Sequence, residues 1–291
     1  MAQALADDWT GEDVSIAQIE RELARMRYES AGEDSQPNLR TSVMTHIAWV
    51  PPQWQHAAEE TLAGMAERHP SRTLLLVPHP EQDDGLDATV SIRCFPVGDR
   101  AICGEVVELF LRGDRASAPA SIVLPLLISD LPVFCRWRGQ PPFGATELEQ
   151  LVGIADRLIV DSTEWPDLPA AYARLAELFD HVAVSDIAWD RTERWRGLLA
   201  SLWPGIDSVK HLKVQGTTAQ AHLLRGWLVS RLGHDVEVEV EERERLEGID
   251  LDDEPAPFPP GAPPNPSDVL SAELDRFARD RIYEAAVRAA A

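Results

Sequence analysis

The chain has 291 residues, 49 acidic against 27 basic, and a formal net charge of −22. That is enough material for one large or two modest domains with a hydrophobic core. The charge would repel nucleic acid phosphates and anionic lipid headgroups, which are bound mainly through clustered Lys and Arg, so neither is an expected partner. Lys210 and Lys213 are the only lysines, and nearly all positive charge is therefore guanidinium, suited to fixed bidentate pairing.

The N-terminal stretch has no basic leader followed by an apolar core, and no segment has the roughly 18 apolar residues of a membrane span, so a cytoplasmic protein is expected. Cys94, Cys103 and Cys135 are odd in number and lack C-x-x-C spacing, which argues against a disulfide framework and a zinc site and for buried free thiols.

In chain order, Asp13 can cap a helix whose Ile16, Ile19, Leu23 and Met26 share one face, as an amphipathic docking helix would. Gly32 to Asn38 is a polar linker, and Thr41 to Val50 reads as a strand stopped by Pro51 and Pro52. Gln53 to Arg68 is helical in character, and Arg72 to Val77 (RTLLLV) is a strand buried on both faces. Ala88 to Phe95 and Ile102 to Leu111 form a hairpin around Gly98 and Asp99. Ser117 to Ile128 reads as a buried helix bent at Pro125, leading into Leu131 to Pro142 (LPVFCRWRGQPP), a strand that ends in two arginines around a tryptophan. A short helix at Glu147 to Gly153, a strand at Arg157 to Val160 and a helix at Leu168 to Phe179 follow.

From Asp186 one helix carries Trp195, Leu199 and Leu202 on a single face; Ser208 to Val214 is a strand, and Thr217 caps a helix that stops at Gly233. Val236, Val238 and Val240 alternate with glutamates, the pattern of a half-exposed strand. Residues 241–266 are acidic and proline-rich and read as a solvated linker, after which Ser267 starts a last helix with Leu270, Leu274 and Phe277 on its docking face. The expected fold is α/β: residues 1–40 as docking helix and linker, 41–183 as a mixed-sheet domain flanked by helices, and 184–291 as a smaller α+β domain.

Arg136, Trp137 and Arg138 are the residue types that anchor interfaces or grip anions, though a strand end with Trp137 packed inward uses the same residues. His69-Pro70-Ser71-Arg72, at a helix-to-strand junction, suits either a phosphate or the capping of the preceding helix. Trp189 and Arg196 belong to a second aromatic and basic cluster, for which core packing is the ordinary use. Asp250, Asp252, Asp253 and Glu254 suggest calcium but lack EF-hand spacing. The histidines have no metal spacing, and no P-loop, dinucleotide fingerprint or nucleophile elbow is present; no catalytic, cofactor-binding or metal-binding residue is therefore expected.

The order of His69 to Arg72, Cys103-Gly104-Glu105, LPLLISDLPVFCRWRGQPP, ADRLIVDS, Asp186 to Arg196, GWLVSRLG and the final Glu273 to Ala289 helix resembles the glucose-6-phosphate dehydrogenase assembly proteins, the OpcA family. The resemblance implies a non-catalytic partner that binds the dehydrogenase, promotes its active form and supports NADPH supply; by residue type, Arg72, Arg136, Trp137, Arg138, Trp189 and Arg196 are the candidate partner contacts. The chain departs from the pattern between Gly233 and Ser267, where one short strand and the linker leave the C-terminal sheet reduced. Rival readings are a sugar-phosphate sensor or enzyme using Arg72, Arg136 and Arg138, and a self-associating structural module. If Gly98-Asp99 is a two-residue turn, Cys94 pairs directly with Cys103, as two reduced thiols or as a redox-responsive pair; a loop one residue longer separates them.

Overall fold

The computed structural model describes residues 7–29, 42–58, 61, 70–97, 100–259, 266–276 and 278–291. Strands β1 (Asp7–Gly11), β2 (Thr45–Trp49), β3 (Arg72–His79), β4 (Gly85–Val97), β5 (Arg100–Arg112), β6 (Val133–Trp137), β7 (Arg157–Val160) and β8 (Ala183–Asp186) form one eight-stranded mixed sheet. Their order is β1-β4-β5-β3-β2-β6-β7-β8. A smaller sheet has the order β10 (Glu237–Glu242), β9 (His211–Gly216), β11 (Gly248–Leu251), β12 (Glu254–Pro255). The α/β class expected from the patterning is the class observed. By internal contacts the chain divides into Met1–Leu158 and Ile159–Ala291.

In the first unit β3 is buried from Arg72 through Val77, as its unbroken apolar run requires of a strand covered on both faces. It runs parallel to both β2 and β5, and β2 runs parallel to β6 on its other side. The chain thus leaves β2 for β3 on one flank and returns later to β6 on the other, which makes the C-terminal ends of β2 and β6 a topological switch point. The β4–β5 hairpin has the two-residue register, with Val97 opposite Arg100 and Cys94 opposite Cys103. The turn residues 98 and 99 lie outside the described residues, as do the linker 32–38, most of the helix expected over 53–68, and Phe277.

Helix α1 (Ile16–Glu29) buries Ile19, Leu23 and Met26, worth about 2 kcal/mol per side chain. Its cap is Ser15 rather than Asp13: Gln18 N donates to Ser15 Oγ at 3.4 Å and Gln18 Oε1 accepts from Ser15 N at 2.8 Å. Asp13 instead has φ of 47°, and its carboxylate pairs with Arg112. Pro125 lies in a 3₁₀ turn after α2 (Pro119–Val123), the bend its ring imposes, and α3 (Thr146–Val152) follows β6.

The second unit contains α4 (Ala170–Leu178) and, where one helix was expected, α5 (Ile187–Asp190) and α6 (Glu193–Ser201). The break falls at Thr192, whose Oγ1 donates to Trp189 O at 2.7 Å and so competes with the helical ladder. Helix α7 (Thr218–Leu232) starts with the capping box of Thr217 and Gln220 and ends at Gly233 with φ of 75°, both as its sequence implies. The last helix is also two, α8 (Pro266–Leu274) and α9 (Arg281–Ala290), because Asp280 caps the second by accepting from Ile282 N and Tyr283 N.

The supposed linker after Val240 is a correction: it supplies β11 and β12, so the C-terminal sheet is not reduced to one strand. Asp252 and Asp253, at φ of 48° and 68°, make the two-residue turn between them, a conformation Asp tolerates through its short polar side chain. The acidic run that suggested calcium is in this way a hairpin. Asp252 also accepts from Lys210 N and His211 N at 3.0 and 2.9 Å.

Candidate functional site

At the switch point β2 and β6 end alike, in tryptophans that the register sets opposite each other. Trp49 and Trp137 stack with ring centroids 4.9 Å apart and planes 15° apart. Arg138 N donates to Trp49 O at 3.0 Å, and the Arg138 guanidinium lies over the Trp54 ring at 4.7 Å. Gly139, at φ of 76°, turns the chain beside Trp54. In a dinucleotide-binding sheet this first turn is glycine-rich and aims N–H groups at a pyrophosphate. Here it reads Val50-Pro51-Pro52-Gln53-Trp54: the prolines have no N–H, Val50 N is held by Leu76 O, and Trp54 N by Pro51 O.

Beside the stacked indoles opens a groove of about 490 Å³. Its apolar lining comes from Pro51, Pro52, Pro78 and Pro80, with the buried Trp49 and Ala116 behind them. Glu81, Asp114 and Glu147 also line it, with no Arg, Lys, His or Cys among the described lining residues. Ser117 lines it too, but its Oγ donates to Asp114 O at 2.8 Å.

Arg136, Trp137, Arg72 and Trp189 are interior, at 3%, 2%, 9% and 2% exposure, and the reading of these side chains as surface contacts is corrected accordingly. The cause for the first two is that β6 is central and buried along its whole length; Arg136 Nη1 donates to Trp137 O. Arg72 is tied to Glu105 (Nε to Oε2, 2.8 Å) and to Leu126 O (2.7 Å), and Arg27 completes the pairing from α1. Burial alone would raise the Glu105 carboxyl, but the two guanidiniums outweigh it and hold its pKa below the usual range. Arg138 and Arg196 keep partial exposure. Arg196 stacks on Trp189 at 3.5 Å, and burial lowers its pKa to about 10, so it stays cationic near neutral pH. Trp189 and Arg196 belong to the second unit, where Trp189 is interior and Arg196 covers it.

The second unit also holds a buried polar network centred on Asp186. Asp186 is fully buried and accepts from Ser162 Oγ at 2.6 Å, Ser162 N at 3.0 Å, Ala188 N at 2.9 Å and Tyr283 OH at 3.3 Å. Burial, with the Asp161 charge adding to it, raises its pKa to about 6. In the first unit Cys103 is disulfide-bonded and Cys94 is its register partner, while Cys135 is free and buried, where burial pushes its thiol up to about 12. Among the described residues no group of His, Cys, Asp and Glu could hold a metal, and no helix is long and apolar enough to cross a membrane.

Trp49, Trp54 and the three groove carboxylates were not anticipated. A signal was present for the indoles: IAWVPP and CRWRGQPP are two strands ending in tryptophan and then a proline pair, the pattern of adjacent strands sharing one end.

Comparison with known proteins covers both units. Residues 63–177 match the model described as glucose-6-phosphate dehydrogenase subunit N-terminal domain, and residues 182–257 match the corresponding C-terminal domain. Proteins named as OxPP cycle protein OpcA are similar: that of Nostoc punctiforme at 31% identity over 182 residues, and that of Synechococcus elongatus at 31% over 185. Each alignment covers 58% of this chain but only 39% and 41% of those relatives, so the match spans well under half their length. With both domains matched in order, and with the end of β6 inside the first, the chain belongs to the OpcA family.

Proposed function

We propose that this chain is a cytoplasmic, non-catalytic partner of glucose-6-phosphate dehydrogenase that binds the enzyme, favours its active assembled form and so supports NADPH supply in the oxidative pentose phosphate route. The observation that carries the reading is the ordered match of both halves to domains described as parts of a glucose-6-phosphate dehydrogenase subunit. The switch point supports it, since indoles and prolines occupy the place where a sheet of this order would cradle a phosphate. Activation would come from differential affinity: a partner shifts the enzyme only if it binds the active conformation or oligomer more tightly. The sugar-phosphate reading loses ground, because Arg72 and Arg136 are interior and the groove is lined by carboxylates.

The test is to titrate the chain into its host's purified dehydrogenase, following NADPH formation by absorbance and assembly by sedimentation velocity. A complex at micromolar concentration with a changed rate, substrate affinity or oligomeric state is expected, with no turnover by the chain alone. An unchanged enzyme overturns the reading. Calorimetry with glucose 6-phosphate is expected to show no binding to the isolated chain.

A further inference from the structure

We infer that the groove at the strand ends docks a cationic segment of a partner protein, one that presents an Arg or Lys side chain next to proline or other apolar residues. This rests on the reading of the chain as a protein-binding partner and names the chemistry of what it binds. Glu81, Asp114 and Glu147 line the groove without a cation among its described lining residues, so the local field selects a positive ligand. The net charge of −22 attracts the same ligand from a distance.

The apolar floor decides between a bare cation and a chain segment. Four of its residues are prolines, whose rings fix the backbone, and Trp49 is pinned against Trp137. Such a rigid surface loses little entropy when it is covered. A metal ion or small amine would satisfy the carboxylates and leave this floor wet. An Arg or Lys does both, laying its aliphatic stem on the prolines while its head reaches the acids, and apolar neighbours extend the contact. Anionic sugar phosphates are repelled by the same three groups.

The test uses the full chain and two probes: a capped hexapeptide of repeating Arg-Pro-Pro with its Glu-Pro-Pro counterpart, and the host's glucose-6-phosphate dehydrogenase. The triple variant Glu81→Gln, Asp114→Asn, Glu147→Gln is compared with Glu20→Gln, Glu244→Gln, Glu254→Gln, which removes equal charge elsewhere, and with Glu81→Lys as an independent single change. The Arg peptide is expected to bind and its Glu counterpart not to. The groove variants are expected to weaken binding about tenfold or more, the control triple less than about twofold, with the gap narrowing above about 300 mM salt. Equal weakening by both triples, or no selectivity between the peptides, overturns the inference. If the wild-type chain ignores the dehydrogenase, the proposed function fails and the peptide arm alone judges the groove. If the dehydrogenase binds the groove variants as it binds wild type, the function stands and the groove assignment falls.

Discussion

Replacing Asp186 with Asn should make the protein less dependent on pH in a defined direction. The carboxyl is fully buried, and its pKa rises to about 6 from an ordinary 3.8. Above pH 6 the folded state must keep this carboxylate charged in the interior, whereas the unfolded chain keeps it charged in water. Between the two values the folded state binds more protons, so this group's contribution to stability improves as pH falls. The shift of about 2 units corresponds to about 3 kcal/mol. Asn keeps an oxygen for Ser162 N and Ala188 N and places an amide where Ser162 Oγ and Tyr283 OH donate, hydroxyls that can rotate to accept. Urea unfolding of both proteins at intervals from about pH 4 to pH 8 isolates the group, because other titrations are common to the pair. Relative to the variant, wild type should gain about 2 kcal/mol between about pH 8 and about pH 4, the rest of the roughly 3 kcal/mol appearing only below the unfolded value. A difference that is flat with pH, or that grows with rising pH, refutes the assignment of a raised pKa.

In α7, Gly226→Ala should destabilise by about 2 kcal/mol despite the better helix propensity of Ala, because a Cβ would overlap Ala286 O and lie 2.9 Å from Ala290 Cβ; a raised urea midpoint would contradict this. Arg136→Ala should lower the melting temperature more than Arg138→Ala, since the first is 3% exposed inside β6 and the second rests half-buried on Trp54; the reverse order would show that the strand end is not packed as described. We propose that Cys94 and Cys103 respond to redox state. Alkylation and mass spectrometry before and after mild oxidation, with dehydrogenase activity measured in both states, should show both the cross-link and a change in activation; a disulfide without effect on activation rejects the switch.

What the sequence made legible was whatever local chemistry decides. Thr217, Gln220 and Gly233 bound α7 by short-range hydrogen bonds and a left-handed cap, and the two-residue turn alone sets Cys94 opposite Cys103. RTLLLV announces a strand buried on both faces. The rest depended on partners distant in sequence. β1 is the short polar DDWTG, a strand only because β4 offers it an edge, and β11 is hidden in acidic sequence until β9 pairs with it. The same holds for the site: Arg136 and Trp137 are the residue types of an interface, but a five-residue strand cannot reveal whether it lies at the centre of a sheet. Glu81 and Asp114 come from separate connections and Glu147 from the first turn of α3, and only the folded chain gathers them.

The pairing of β2 with β6 has a kinetic consequence. Trp49 and Trp137 are separated by most of the first unit, so their stack cannot form until nearly all of that unit has been synthesised. β3 can pair with β2 earlier, whereas the other side of β2 stays an open, apolar edge until β6 arrives. Such long-range parallel pairing is slow and leaves the nascent chain prone to association. The groove should therefore be among the last features to mature, and the coupled ellipticity of two stacked indoles would follow its completion during refolding.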